Sequence, residues 1–328
     1  MHRRQMLAEM AAAGGFAGFG AASARPKAGR RSLEGTWDLG SYTDLERPAG
    51  VAGLVMTSAE AAAYEAPRRA MRGMMPAKSG EVGQAENEWT DRGDGLARVK
   101  GQIRSSTIVD PPNGLLPYTR EADRLAGPRG PIQSAAGDLE NPESAGGTTR
   151  CLATVAAGAP MLGAPDSNVI QIVQTKDQLA VLTEKYHDVR VIRVAANAAA
   201  AATATLGAPP AWLGNSAGWW EGDTLVVETQ GFCPGVINKG QRVLISGATR
   251  VTKQFTKVGP GEILYQFTVQ DPTLLTRPWR GEQTIHSSKG RVFEYACHEG
   301  NYSMTGMLAG ARLEDRQAEL AKTGGSAK

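Results

Sequence analysis

Missing from the sequence are a Gly-rich phosphate loop behind a strand, a CxxC pair, a CxxCH haem-attachment site and an HExxH helix. That leaves no basis for a nucleotide, haem, dithiol or zinc cofactor, and no cofactor and no metal site are expected. After the first thirty residues no stretch approaches the ~20 apolar residues of a membrane helix, so no membrane span is expected. Charge is close to balanced, a formal +3 over 328 residues, and no basic stripe carries interleaved aromatics. Nucleic acid is therefore not an expected partner. Aromatic residues make up only 6% of the chain, so the places where they cluster carry weight.

What is present begins with an export pattern. Arg3 and Arg4 precede Met6, Leu7 and an Ala/Gly/Phe run that is too short and too weakly apolar to span a bilayer. The small residues Ala22 to Ala24 suit a signal peptidase, and the paired arginines suit a twin-arginine signal over residues 1–24. Glu9 interrupts the run, and the competing reading is a helical or unstructured start of a cytoplasmic chain. On the export reading the mature protein is periplasmic, and the three cysteines meet an oxidising compartment. Cys151 and Cys297 each adjoin segments that read as ordered core, whereas Cys233 lies in the turn-like "GFCPG". A Cys151–Cys297 disulfide is expected, against the alternative of three buried thiols.

Gly (40) and Pro (18) are frequent and long helical patterns are few, which favours a β-rich body. "GTW" at Gly35 to Trp37 opens a short strand whose indole can plug a barrel end. "TSAE" at Thr57 to Glu60 is a capping box and predicts a helix to about Met71. Residues 126–149 read as a loop insertion. From about residue 168, strands are predicted at 169–175, 179–186, 189–194, 223–230, 250–258, 262–270, 276–286 and 291–297, interrupted by an Ala-rich insertion near 195–212. In 262–270, Ile263, Tyr265, Phe267 and Val269 form one apolar face. The closing segment predicts an amphipathic helix with Met304, Met307, Leu308 and Ala311 on one stripe. The expected fold is mainly β, a single domain over 25–328: an antiparallel up-and-down meander closing into a lipocalin-like barrel, with a short N-terminal helix and a C-terminal amphipathic helix.

The ordered motifs "GTW", "IVDPPNG", "IQIVQT", "YHDVR", "WWEGDTLVVET", "TRPW" and "EYACHEGNYSMTGMLAGAR" resemble a large family of exported bacterial proteins that has no established reaction. The resemblance covers most of residues 34–315. It implies export and an order of motifs, and little chemistry. This chain departs from the family where "DSNVIQIVQT" replaces an Asn-rich run, and where the Ala-rich insertion replaces a turn after the "YHDVR" strand.

Three groups are candidates for function. "YACHEGNY", read as a strand end, puts Phe293, Tyr295, Cys297 and Glu299 on one face, so Cys297 and His298 cannot share a metal ion. Glu299 is then carried to a cavity rim, or else caps the following helix. "EKYHDVR" offers His187, Asp188 and Arg190, as a turn with a structural ion pair or as a proton-transfer set with Glu299. The aromatic group contains Trp219 and Trp279, as core packing or as cavity walls. Ser216 in "GNSAG" lacks the strand-to-helix context of a nucleophile elbow. The expected function is binding of a small apolar or aromatic compound and its conversion by cofactor-independent proton transfer, of lyase, isomerase or hydratase type. His187, Asp188 and Glu299 are then catalytic, and Arg190, Tyr186, Trp219, Trp279, Asn301 and Tyr302 bind ligand. The alternatives are a non-catalytic carrier of such a compound and a structural envelope protein with a filled barrel.

Overall fold

The computed structural model describes residues 32–73, 93–127, 142, 150–152, 156–164, 167–233, 236–238 and 242–324. The expected signal at 1–24 and most of the 126–149 insertion lie outside them. The strands are β1 (Gly35–Asp38), β2 (Val55–Met56), β3 (Arg98–Val99), β4 (Gln102–Arg104), β5 (Ile108–Asp110), β6 (Val169–Gln174), β7 (Gln178–Thr183), β8 (Val189–Val194), β9 (Asn215–Glu221), β10 (Thr224–Gln230), β11 (Val236–Asn238), β12 (Val243–Ile245), β13 (Arg250–Gly259), β14 (Glu262–Gln270) and β15 (Trp279–Ser287). The helices are α1 (Ser58–Gly73), α2 (Arg120–Ala126), α3 (Ala198–Ala204), α4 (Cys297–Gly300) and α5 (Ser303–Gly324). No helix among the described residues is long and apolar enough to cross a membrane.

Nine strands form a closed barrel in the order β1, β6, β7, β8, β9, β10, β13, β14, β15, and β1 pairs with both β6 and β15 to seal it. Strand β5 adds to β15 at a register shift. A two-residue side-chain period sorts each strand: Ile263, Tyr265, Phe267 and Val269 of β14 are buried, while the residues between them are less so. Ile170 and Ile172, Leu179 and Val181, and Leu225 and Val227 repeat the pattern on β6, β7 and β10, and all join one core cluster. Trp37 belongs to that cluster and donates its indole N–H to the Leu33 carbonyl at 2.9 Å. Each large apolar side chain so buried contributes about 1.5–3 kcal/mol relative to exposure.

The barrel departs from a pure meander at one pair. Strands β8 and β9 run parallel, with Ile192 opposite Ser216, and a parallel pair needs a crossover of a dozen or more residues. The Ala-rich stretch after β8 is that crossover. Its helix α3 is capped by Asn197, whose side chain accepts from the Ala200 amide, and it packs Ala201 against Ala217, Trp219 and Val226 on the outside of the wall. A second departure is 291–296, which is not a strand. Strand β15 already has β14 on one side and β5 and β1 on the other, so the alternating sequence finds no free edge. It runs as a strap, with the Phe293 amide donating to Glu184 Oε2 at 3.1 Å and the Tyr295 amide donating to His187 Nδ1 at 3.2 Å.

Outside the barrel, β2, β4 and β3 form a small sheet next to α1. The capping box forms as expected: Thr57 N donates to Glu60 Oε2 and Glu60 N to Thr57 Oγ1. On α5, Met304, Met307, Leu308 and Ala311 are the half-buried stripe that the periodicity predicts. The Cys151–Cys297 disulfide is present, with Cα atoms 5.9 Å apart.

Gly281 on β15 makes room for the Phe267 ring. A Cβ there would lie 2.3 Å from Phe267 Cζ. Overpacking of this kind costs about 1–3 kcal/mol, so Gly281→Ala should lower Tm and addition of Phe267→Leu should restore part of the loss. An additive double-mutant cycle would show that the two positions do not share space.

Candidate functional site

The barrel lumen is filled in part by a segment that belongs to no strand. Residues 156–162 run through the core, and Ala156, Ala157, Ala159, Met161 and Leu162 are all buried. Lacking a sheet neighbour, this plug must satisfy its backbone from barrel side chains, because a buried unpaired peptide group costs about 1–3 kcal/mol. Arg190 Nη2 donates to the Ala157 carbonyl at 2.6 Å. The Met161 amide donates to the Tyr265 hydroxyl at 3.0 Å, and Gln283 Nε2 donates to the Met161 carbonyl at 3.2 Å. The base of the plug is closed by Asn168, whose Oδ1 accepts from the Ala164 amide while Nδ2 donates to the Ala164 carbonyl.

Arg190 organises this end of the barrel. Its alternation on β8 turns it inward with Ile192, and Nη1 donates to the Leu213 carbonyl at 2.6 Å and to Ser216 Oγ at 2.9 Å. Ser216 in turn shares a 2.8 Å hydrogen bond with Thr229. Burial pulls the guanidinium down to about 10, against the opposing pull of Tyr265 and Asp188. Burial also pushes the Tyr265 hydroxyl up. Lys253 on β13 is fully buried, and no hydrogen-bond partner for its Nζ exists among the described residues. Burial first, and the Arg190 charge second, push its amine well below the ordinary lysine range. Arg190 Nε and Asp188 Oδ2 also lack partners among the described residues. Burial raises the Asp188 carboxyl to about 6, opposed by the nearby Arg190 charge.

The "EKYHDVR" segment is the β7–β8 turn. Tyr186 (φ 65°) and His187 (φ 55°) are both left-handed, a conformation that costs non-glycine residues on the order of 1–3 kcal/mol each. The strap holds that geometry: Tyr295 packs edge-on against Tyr186 at 5.3 Å and bonds to His187. The disulfide then ties the strap to the chain leading into the plug, and Asn301 Nδ2 lies 3.3 Å from Cys151 Sγ.

The expected site residues are thus split. His187 is exposed at the turn, with Asp188 half-buried behind it and Arg190 in the core. Glu299 is exposed in α4, beyond the disulfide, and not at the end of a strand. Tyr302 is 83% exposed. Trp219 faces outward beneath α3 and donates to Glu221 Oε1, whereas its neighbour Trp220 packs against the barrel core. Trp279 lies in the core, edge-on to Phe267 at 5.3 Å. Sequence reading passed over Lys253, Tyr265 and Gln283 as site residues. Lys253 had one signal: it sits in phase with the apolar positions Val251 and Phe255 of its strand. No family model matches the chain, and neither a curated protein nor a solved structure matches it.

Two outcomes follow from this electrostatic arrangement. Asp188 has a folded pKa above its ordinary unfolded value of about 3.9, so the fold favours its protonated form. That contribution is complete below about pH 4 and is lost as pH rises through about 6. Asp188→Asn, which stays neutral, should therefore gain on the wild type in Tm between pH 4 and pH 7, and a pH-independent difference would show a solvated carboxyl. Arg190→Met removes the guanidinium donor from the Ala157 and Leu213 carbonyls and should lose about 2 kcal/mol in denaturant unfolding.

Proposed function

We propose that this is an exported, periplasmic barrel protein that takes a small, mainly apolar or aromatic compound into the end of the lumen beneath the β7–β8 turn. One observation carries the reading. A closed barrel with an apolar interior holds, on inward-facing strand positions, a few polar groups, and Lys253 Nζ and Arg190 Nε among them have no hydrogen-bond partner among the described residues. Small-molecule sites share that composition of apolar walls with few placed polar groups. The disulfide supports an oxidising compartment.

Binding is the function the geometry supports best. Conversion of the guest by proton transfer is a second reading, favoured by Asp188: a carboxyl raised to about 6, one of whose oxygens has no hydrogen-bond partner among the described residues, has the properties of a general acid or base at neutral pH. On this reading Asp188 carries the step, with Arg190 setting its charge, and the exposed His187 and Glu299 are peripheral.

A melting screen over small apolar and aromatic compounds tests the proposal. A guest at a hundredfold excess over its Kd stabilises by about 2.7 kcal/mol, a shift of several degrees in Tm. Loss of turnover in Asp188→Asn with binding retained would favour conversion. No Tm shift from any compound class would leave only a barrel filled by its own side chains.

A further inference from the structure

We propose that the guest carries a carboxylate, and that Lys253 Nζ and Arg190 Nε hold it inside the barrel. This rests on the reading of the lumen as a binding site. Lys253 is 0% exposed and Arg190 4%, and each keeps a nitrogen donor without a partner among the described residues. The other donors of Arg190 are committed to Ala157, Leu213 and Ser216. In the β10–β13 register Lys253 stands opposite Val227, and Thr229 is the next inward position on β10. Thr229 bonds Ser216, which bonds Arg190, so a short hydroxyl bridge links the surroundings of the two cationic side chains. The Arg190 charge also acts on Lys253, in keeping with the link through Ser216 and Thr229.

Unpaired buried donors call for an acceptor, because a buried polar group without one is rare in folded proteins. Among the described residues, Asp188 is the one carboxylate whose charge acts on Arg190, and burial disfavours its ionised form. A single planar anion with two oxygens supplies an acceptor for each nitrogen. A phosphate dianion would bring more charge and more lone pairs than two donors satisfy. The walls around Lys253, namely Val227, Val251, Phe255 and Phe267, suit an alkyl or aryl body behind the head. A buried water is the competing acceptor, and it would confer no preference for an acid over an alcohol.

The experiment compares acids with alcohols of the same skeleton, octanoate with octan-1-ol and 3-phenylpropanoate with 3-phenylpropan-1-ol, by calorimetric titration of the full chain. At least one acid should bind tenfold or more tighter than its alcohol. In Lys253→Met that preference should fall to less than threefold while alcohol binding is kept, and Tm should rise because an unpartnered buried amine is gone. Lys253→Gln, which keeps a donor, should retain part of the preference and serves if the methionine variant does not accumulate. Equal binding of acid and alcohol to the wild type, or an unchanged preference in Lys253→Met, overturns the carboxylate assignment and leaves the binding reading intact. Binding of neither class, with the protein folded, overturns both.

Discussion

One buried guanidinium sets the conditions for the rest of the molecule. Arg190 can lie in the barrel core only because two peptide carbonyls and a hydroxyl take its protons, and the desolvation of an arginine is otherwise several kcal/mol. Those acceptors come from three places: the plug, the end of the crossover after α3, and β9. A single side chain therefore fixes the positions of two irregular segments relative to the wall. The dependence runs both ways, since the plug has no sheet partner and relies on Arg190, Tyr265 and Gln283 for its backbone.

Carboxylates buried elsewhere are surrounded by donors, while the Nε atoms of Arg47, Arg104 and Arg242, like that of Arg190, lack a hydrogen-bond partner among the described residues. Glu282 is as buried as many core residues, yet Arg104, Lys100 and Gln266 all reach its carboxylate. Arg242 is likewise buried against Glu46 and Asp123. Asp271 gathers bonds from Ser246, Thr249, Thr273 and the Leu274 amide, which outweigh its burial and hold it at about 2. Where this chain buries a carboxylate for architecture, it surrounds it with donors. Lys253 Nζ has no such shell among the described residues, which sets its position apart from the ion pairs of Glu282 and Arg242.

Much of the barrel was legible because alternation is a local signal. Strand β14 carries buried apolar side chains at every second position and its limits match the pattern, and β8 has the expected limits although Arg190 is buried and Val189 and Val191 are exposed. The parallel β8–β9 pair was not legible, since direction depends on where a distant strand docks. Its only trace was the length of the Ala-rich stretch, which exceeds what a hairpin needs. The strap shows the converse limit: 291–297 alternates like a strand, but no edge was left to receive it. The site was harder still. In "GWW" two adjacent indoles occupy opposite faces, and only pairing with β10 decides that Trp220 faces the core and Trp219 faces α3. The expected cysteine pairing is present, although Cys297 follows the exposed strap and not a core strand.

The seam of the barrel has a consequence for how the chain acquires its shape. Strand β1 starts at Gly35 and meets β15 through Trp37 and Ser287, two residues far apart in the sequence. Contacts between such remote positions are entropically late, and topologies rich in them assemble slowly. A ribosome-bound fragment lacking β15 would carry β1 with one edge unsealed and the lumen open along its length. Closure of the barrel is therefore possible only once the chain has been made through β15.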